Sequence, residues 1–186
     1  MPTRLPLALG LCLVLAGCTA NSGTGPAVSS SATPPPPSTS ASPELAIQWV
    51  DGYCQAVNDF RKDHNEVLNS TSGDSPKAFA KQLVPYTAVL TKAIDRLNAL
   101  PAAPAPAGET AKKTFLDNYT AARDKVTSAK AKLDAAKNST AAQNKAVDTM
   151  IEAQKLAMRA YDPVGAIMTS PELSDASARA THCTEP

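Results

Sequence analysis

Apolar side chains recur at spacings of three and four residues in four stretches of the chain beyond residue 43. Because this spacing follows the turn of an α-helix, each stretch predicts an amphipathic helix with one buried face. No stretch alternates apolar and polar residues as a β-strand does, so the sequence predicts an all-α fold. The four series are Val50, Tyr53, Val57, Phe60, His64 and Val67; Phe79, Leu83, Tyr86, Leu90, Ile94 and Leu97; Phe115, Tyr119, Ala122, Val126, Ala129, Leu133 and Ala136; and Ala146, Met150, Ala153, Ala157 and Tyr161.

Serine and proline mark the expected helix boundaries. Ser42 followed by Pro43 predicts the start of the first helix, and Ser170 followed by Pro171 predicts a last short helix. Pro85 should break or kink the second helix because it lacks an amide proton, although the unbroken apolar series favours one kinked helix over two. The third helix is expected over residues 109–137, after a proline-rich connector.

Residues 44–186 are enough for one helical domain with a single core. Four amphipathic helices with short connections predict a four-helix bundle with a short C-terminal helix, and they favour up-and-down order. The connector at 101–108 is long enough to join either neighbouring or diagonal helices, so the helix order stays open.

The first 17 residues have the features of a signal peptide: Arg4 precedes a leucine-rich run that is too short to span a bilayer. Leu15, Ala16, Gly17 and Cys18 resemble the lipobox of bacterial lipoproteins. That resemblance implies cleavage after Gly17, lipid such as palmitate on Cys18, and location on the extracytoplasmic face of the cell membrane. In its abundance of alanine and proline, its lipobox-like residues and its two distant mature cysteines, the chain resembles small lipoproteins of actinobacteria. An ordinary secretory signal or an uncleaved anchor are the alternatives.

Residues 18–43 combine the expected lipidated cysteine with a segment rich in serine, threonine and proline that contains no charged side chain. Such a composition cannot bury a core, so the sequence predicts a disordered tether between the membrane and the helical domain. Its serine and threonine content also makes it a candidate for O-linked sugar.

Charge excludes one class of partner. Loss of Arg4 with the signal peptide reduces the 18 basic residues by one, which leaves them equal in number to the 17 acidic ones. Because nucleic-acid binding normally needs a strongly basic face, no nucleic-acid partner is expected.

Two of the four cysteines should remain free to pair in the mature protein. Cys12 leaves with the signal peptide and Cys18 carries lipid, so Cys54 and Cys183 are left. Outside the cytoplasm thiols oxidise, which predicts a disulfide between them. The alternatives are two independent thiols or a redox pair.

The usual signatures of enzymes are missing from the sequence, so no catalytic residue, metal or cofactor is predicted. His64 lies in an apolar series and is expected to be a satisfied interior or boundary histidine, whereas His182 is expected to be exposed. A metal or haem site would have to combine these histidines with Met150 or Met158, and methionine at helical spacing is usually core filler.

A cluster of lysines marks the end of the third helix and the start of the fourth. These residues are Lys125, Lys130, Lys132, Lys137 and Lys145, and in the sequence only Asp134 opposes them. They are interpreted as solubilising charge at a helix C-terminus or as a contact for anionic envelope polymer or lipid headgroups.

The expected function is that of a membrane-anchored, non-enzymatic binding or scaffolding module. Its membrane contact would be the lipid on Cys18, and its further partner an envelope polymer, a protein or an apolar ligand held in an alanine-lined groove. The alternative is a metal carrier or an enzyme with a site built from scattered carboxylates, His64 and methionines.

Overall fold

The computed structural model describes residues 42–70 and 75–184, apart from the side chain of Phe79. The predicted signal peptide, Cys18 and nearly all of the predicted tether lie outside the described residues. The described part is all-α and contains no strand. Its helices are α1 (Pro43–Asn69), α2 (Pro76–Ala99), α3 (Pro106–Ala135), α4 (Thr140–Met158), α5 (Pro163–Ile167), α6 (Pro171–Ser177) and α7 (Thr181–Thr184).

Short polar side chains begin most of these helices. The hydroxyl of Ser42 accepts a hydrogen bond from the amide of Leu45, and a proline occupies the first helical position, as predicted. Ser75, Ser139 and Ser170 cap α2, α4 and α6 in the same way. These caps satisfy amides that have no partner within the first helical turn.

Two boundaries of α3 differ from the prediction. The helix begins at Pro106, three residues before Glu109, because proline is well suited to the first helical position. Glu109 instead accepts a hydrogen bond at 2.6 Å from the amide of Ala103 in the connector. The helix ends at Ala135, and Lys137 and Asn138 adopt left-handed conformations with φ of 50° and 55°. These two residues turn the chain toward α4.

Pro85 does not divide α2, which is a single helix from Pro76 to Ala99. The apolar residues before and after this proline therefore lie on a single helix, as their continuous spacing predicted. Leu83, Tyr86, Leu90 and Leu97 are all fully buried along it.

The C-terminal region forms three short helices where the sequence predicted one. The carboxylate of Asp162 accepts hydrogen bonds from the amides of Val164 and Gly165 and so starts α5 before the predicted Ser170 cap starts α6. Ile167 and Leu173 are fully buried, so these helices belong to the core. Helices α6 and α7 pack mainly against α1, and α5 packs against α3 and α1. Helix α4 packs against α3 and α2.

A connected series of aromatic rings runs through the core between α1 and α3. Trp49 stacks on Tyr53, the ring of Tyr53 meets Phe115 edge-on, and Phe115 meets Tyr119 in the same way. The centroid of Tyr119 also lies 4.3 Å from that of Phe60. Buried aromatic pairs of this kind contribute beyond their apolar area, so they fix how α1 and α3 pack together.

The two remaining cysteines lie at disulfide distance. The Cα atoms of Cys54 and Cys183 are 5.2 Å apart, consistent with the predicted disulfide. It attaches α7 to the middle of α1. Within the described ranges, no helix combines the length and apolarity that a membrane crossing requires.

Candidate functional site

Three of the five lysines that were predicted to form a basic surface line a groove between α3 and α4. Its volume is about 390 Å³. Lys125 and Lys132 reach it from α3, and Lys145 reaches it from α4. The hydroxyls of Ser128 and Thr149 lie on the same walls, and Ala129, Ala142 and Ala146 line it as well. Small side chains at these alanine positions leave room between the helices for the polar groups.

One carboxylate enters this groove. Glu152 accepts a hydrogen bond at 2.8 Å from the Nζ atom of Lys125. That hydrogen bond and the charge of Lys125, together with the charges of Lys145 and Lys155, lower the pKa of Glu152. With Glu152 ionised, the ammonium groups of Lys132 and Lys145 leave the groove with a positive surplus. The Thr149 hydroxyl donates to the backbone carbonyl of Lys145 at 2.9 Å, which leaves the Ser128 hydroxyl as the donor beside the lysines. The groove therefore combines cationic groups with a hydroxyl donor, which suits an anionic ligand.

The predicted five-lysine cluster is divided in the structure. Lys130 pairs with Asp134 and lies on the other side of α3, beside α2. Lys137 lies in the turn between α3 and α4. The expectation that only Asp134 opposes these lysines is wrong, because Glu152 pairs with Lys125 across the helix interface.

A second groove, between α2 and α3, has the small apolar lining that was expected for an apolar ligand. Val84, Ala88 and Ala131 line it with Thr87 and Thr127, and its volume is about 500 Å³. The side chain of Val84 is 58% exposed there, which is unusual for a residue of that type.

His64 is buried in the core, as predicted, but it is not fully hydrogen-bonded. Its side chain is 4% exposed, and its Nδ1 atom has no hydrogen-bond partner among the described residues. The ring packs against Phe60 and meets the ring of Tyr86 at a centroid distance of 5.3 Å. Burial lowers the pKa of the His64 imidazole below its ordinary value of 6.5. The histidine is therefore neutral in the folded protein near neutral pH.

This burial predicts a loss of stability in mild acid. Below pH 6.5 the unfolded chain binds a proton at His64 that the folded chain resists, so the free energy of unfolding falls as the pH drops from 7 to 5. The slope should approach, at most, about 1.4 kcal/mol per pH unit. Urea unfolding across this range measures it. In the His64→Leu variant the free energy of unfolding should no longer fall over this pH range. An unchanged fall in that variant would show that His64 is not its source.

His182 is half-buried, although the sequence predicted exposure. Its Nδ1 atom lies 2.8 Å from one carboxylate oxygen of Asp51, and its backbone amide donates to the other at 2.9 Å. Desolvation raises the pKa of Asp51, but the hydrogen bonds and charge of His182 outweigh it and lower the pKa overall. The carboxylate thus helps the disulfide to fasten α7 to α1.

The residues of the alternative metal site are not brought together. Met150 is in the core, whereas Met158 is 46% exposed. Among the residues that the structure describes, no three His, Cys, Asp or Glu side chains form a group able to hold a metal ion.

Comparison with known proteins gives no match: no protein-family model, no curated protein and no solved structure is similar to this chain. The chemistry of the described residues is therefore the basis for a functional proposal.

Proposed function

We propose that the protein is an extracytoplasmic lipoprotein whose helical domain is an up-and-down four-helix bundle carried on a tether. The lipobox-like residues Leu15 and Cys18 support the anchor, and the uncharged, proline-rich composition of residues 18–43 supports the tether. Contacts between consecutive long helices, α1 with α2, α2 with α3 and α3 with α4, support the bundle order. The bundle is irregular, because α4 also packs against α2, and α6 and α7 cover the side of α1 where a regular bundle would place α4.

In this proposal the domain is a non-enzymatic binding module that holds an anionic envelope polymer. The observation that carries it is the groove between α3 and α4, where Lys125, Lys132 and Lys145 face one carboxylate in a space of about 390 Å³. Ammonium groups and hydroxyls can both donate hydrogen bonds to phosphate or carboxylate oxygens. Repeating anionic groups along a polymer would meet several of these donors at once.

A polymer suits this groove better than the headgroups of the anchoring membrane. A flexible tether of the predicted length has an average end-to-end distance of about 25 to 30 Å. Electrostatic attraction is screened over a Debye length of about 8 Å at physiological ionic strength. A domain on such a tether would sample many distances from the membrane, most of them beyond this screening length, whereas a polymer that extends through the envelope can reach its lysines at any of them.

The test compares two variants of equal charge in binding to polyphosphate, a simple anionic polymer. Lys132→Ala combined with Lys145→Ala should weaken binding about tenfold to thirtyfold, since each lysine near an anionic surface contributes about 1 kcal/mol. Lys77→Ala combined with Lys81→Ala removes two exposed lysines from α2 and should change binding less than twofold. Fluorescence anisotropy of labelled polyphosphate measures both, at two salt concentrations.

If the two double variants weaken polyphosphate binding equally, the polymer does not bind specifically in the groove, and the attraction is that of general positive charge. Vesicles that contain anionic phospholipid provide the second comparison. If the full chain binds them through Lys132 and Lys145 more strongly than it binds polyphosphate, the polymer proposal is wrong and the headgroup becomes the ligand.

A further inference from the structure

A polar cleft lies on the outer side of α1, beside the residues that follow α4. Gln55, Asn58, Arg61 and Asn65 come from α1, Tyr161 from the segment after α4, and His182 from α7. The volume of the cleft is about 470 Å³, and it shares no lining residue with the lysine groove. Side-chain amides at three positions of one helix face are its distinguishing feature.

The walls of this cleft are held in place by contacts among its own side chains. The guanidinium of Arg61 lies over the Tyr161 ring, 4.6 Å from its centroid, and its Nη1 atom donates to Asn58 Oδ1 at 3.2 Å. The Nδ2 atom of Asn58 donates in turn to the backbone carbonyl of His182. Because the disulfide at Cys183 anchors the same tail to α1, the cleft is preorganised for a ligand.

Its hydrogen-bonding groups match hydroxyls better than simple anions. Gln55 and Asn65 are exposed, and each amide offers both a carbonyl acceptor and an amino donor. A sugar hydroxyl also donates and accepts, so it can pair with both ends of an amide. An acetate ion only accepts, so it offers no donor to the amide carbonyls.

The cleft also carries positive charge that a neutral sugar would not use. Arg61 and Lys62 lie on its lining, and the carboxylate of Asp59 is already paired with Arg96 from α2. Guanidinium groups present several donors in a plane that suits carboxylate oxygens. We infer that the cleft between α1 and α7 binds a saccharide unit that bears a carboxylate, with Arg61 at the acid and the amides of Gln55 and Asn65 at the hydroxyls.

Calorimetric titration of the full chain with glucuronic acid, glucose and acetate tests this inference. Glucuronic acid should bind at least tenfold more tightly than either glucose or acetate, because only glucuronic acid offers both kinds of group. Asn65→Ala should weaken its binding about fivefold, and Arg61→Lys, which keeps the charge but loses the planar donors, about tenfold. Asn98→Ala removes an exposed amide from α2 and should change binding less than twofold.

Three results would overturn the inference. If acetate bound as tightly as glucuronic acid, the cleft would be a simple anion site. If glucose bound as tightly as glucuronic acid, Arg61 would not contact the carboxylate. No heat of binding with glucuronic acid at millimolar concentration would remove the site altogether. The Lys132→Ala and Lys145→Ala double variant separates this site from the lysine groove, because it removes two cations from that groove and should change glucuronic acid binding less than twofold.

Discussion

Replacing Cys54 and Cys183 by alanine should lower the free energy of unfolding by about 4 to 5 kcal/mol. The two residues are separated by 129 positions, so the crosslink restricts the unfolded chain over most of the helical domain. In the chain-entropy account, loss of that restriction stabilises the unfolded state. Urea unfolding of the double variant and of the oxidised protein at one pH gives the difference. Alanine is the suitable replacement because Cys54 is fully buried among apolar side chains.

Reduction of the unmodified protein is the matched control for this pair. The reduced chain should unfold at nearly the same urea concentration as the double alanine variant, since both lack the crosslink and little else changes. A difference below about 1 kcal/mol between the oxidised protein and the double variant would contradict a strong role for chain entropy. A thiol reagent that labels Cys54 and Cys183 in the native protein, located by peptide mass spectrometry, would contradict the disulfide itself.

Tyr119→Ala should cause the second large loss, about 3 to 5 kcal/mol. The ring is fully buried between Phe60 and Phe115, so truncation leaves a cavity where α1 and α3 meet. Its hydroxyl donates to the carbonyl of Ala160 at 3.0 Å, just before the chain turns into α5. Burial raises the pKa of this hydroxyl well above its usual range, so it stays protonated as a donor. Thermal and urea unfolding measure the effect.

Tyr119→Phe separates the ring from the hydroxyl. It keeps the aromatic contacts and removes one hydrogen bond, so the expected loss is about 1 to 2 kcal/mol. Equal losses in the phenylalanine and alanine variants would show that the bond to Ala160 dominates. Such a result would contradict the view that ring packing holds α1 and α3 together.

Local sequence patterns were sufficient to predict the long helices. In the first series Val50, Tyr53, Val57 and Phe60 are all buried, because the 3.6-residue turn places them on one face. Ser42 with Pro43 marked the start of α1 for a reason that is equally local: a hydroxyl caps an amide three residues ahead. Boundaries that depend on competing local signals were less accurate, as Pro106 and Asp162 illustrate.

Pairings between distant residues could not be predicted in this way. The bond between Lys125 and Glu152 depends on how α3 and α4 are aligned, and the contact of Asp51 with His182 depends on where α7 packs. The sequence does carry one signal for the polar cleft. Gln55, Asn58 and Asn65 repeat at helical spacing on the polar side of α1, which indicates a continuous polar face even before the tail is placed beside it.

The position of the crosslink also determines how the domain would bear mechanical load. A pull from the amino-terminal side enters at Ser42 and reaches Cys54 after about three helical turns. Beyond that point the backbone forms a closed ring through Cys183. Lys145 lies within this ring, so a polymer pulling on it would be connected to the anchor by two covalent paths. One runs back along the chain to Cys54, and the other runs forward through α5, α6 and α7 to the disulfide at Cys183. The forward path is the shorter one, so it would limit how far the ring could be stretched.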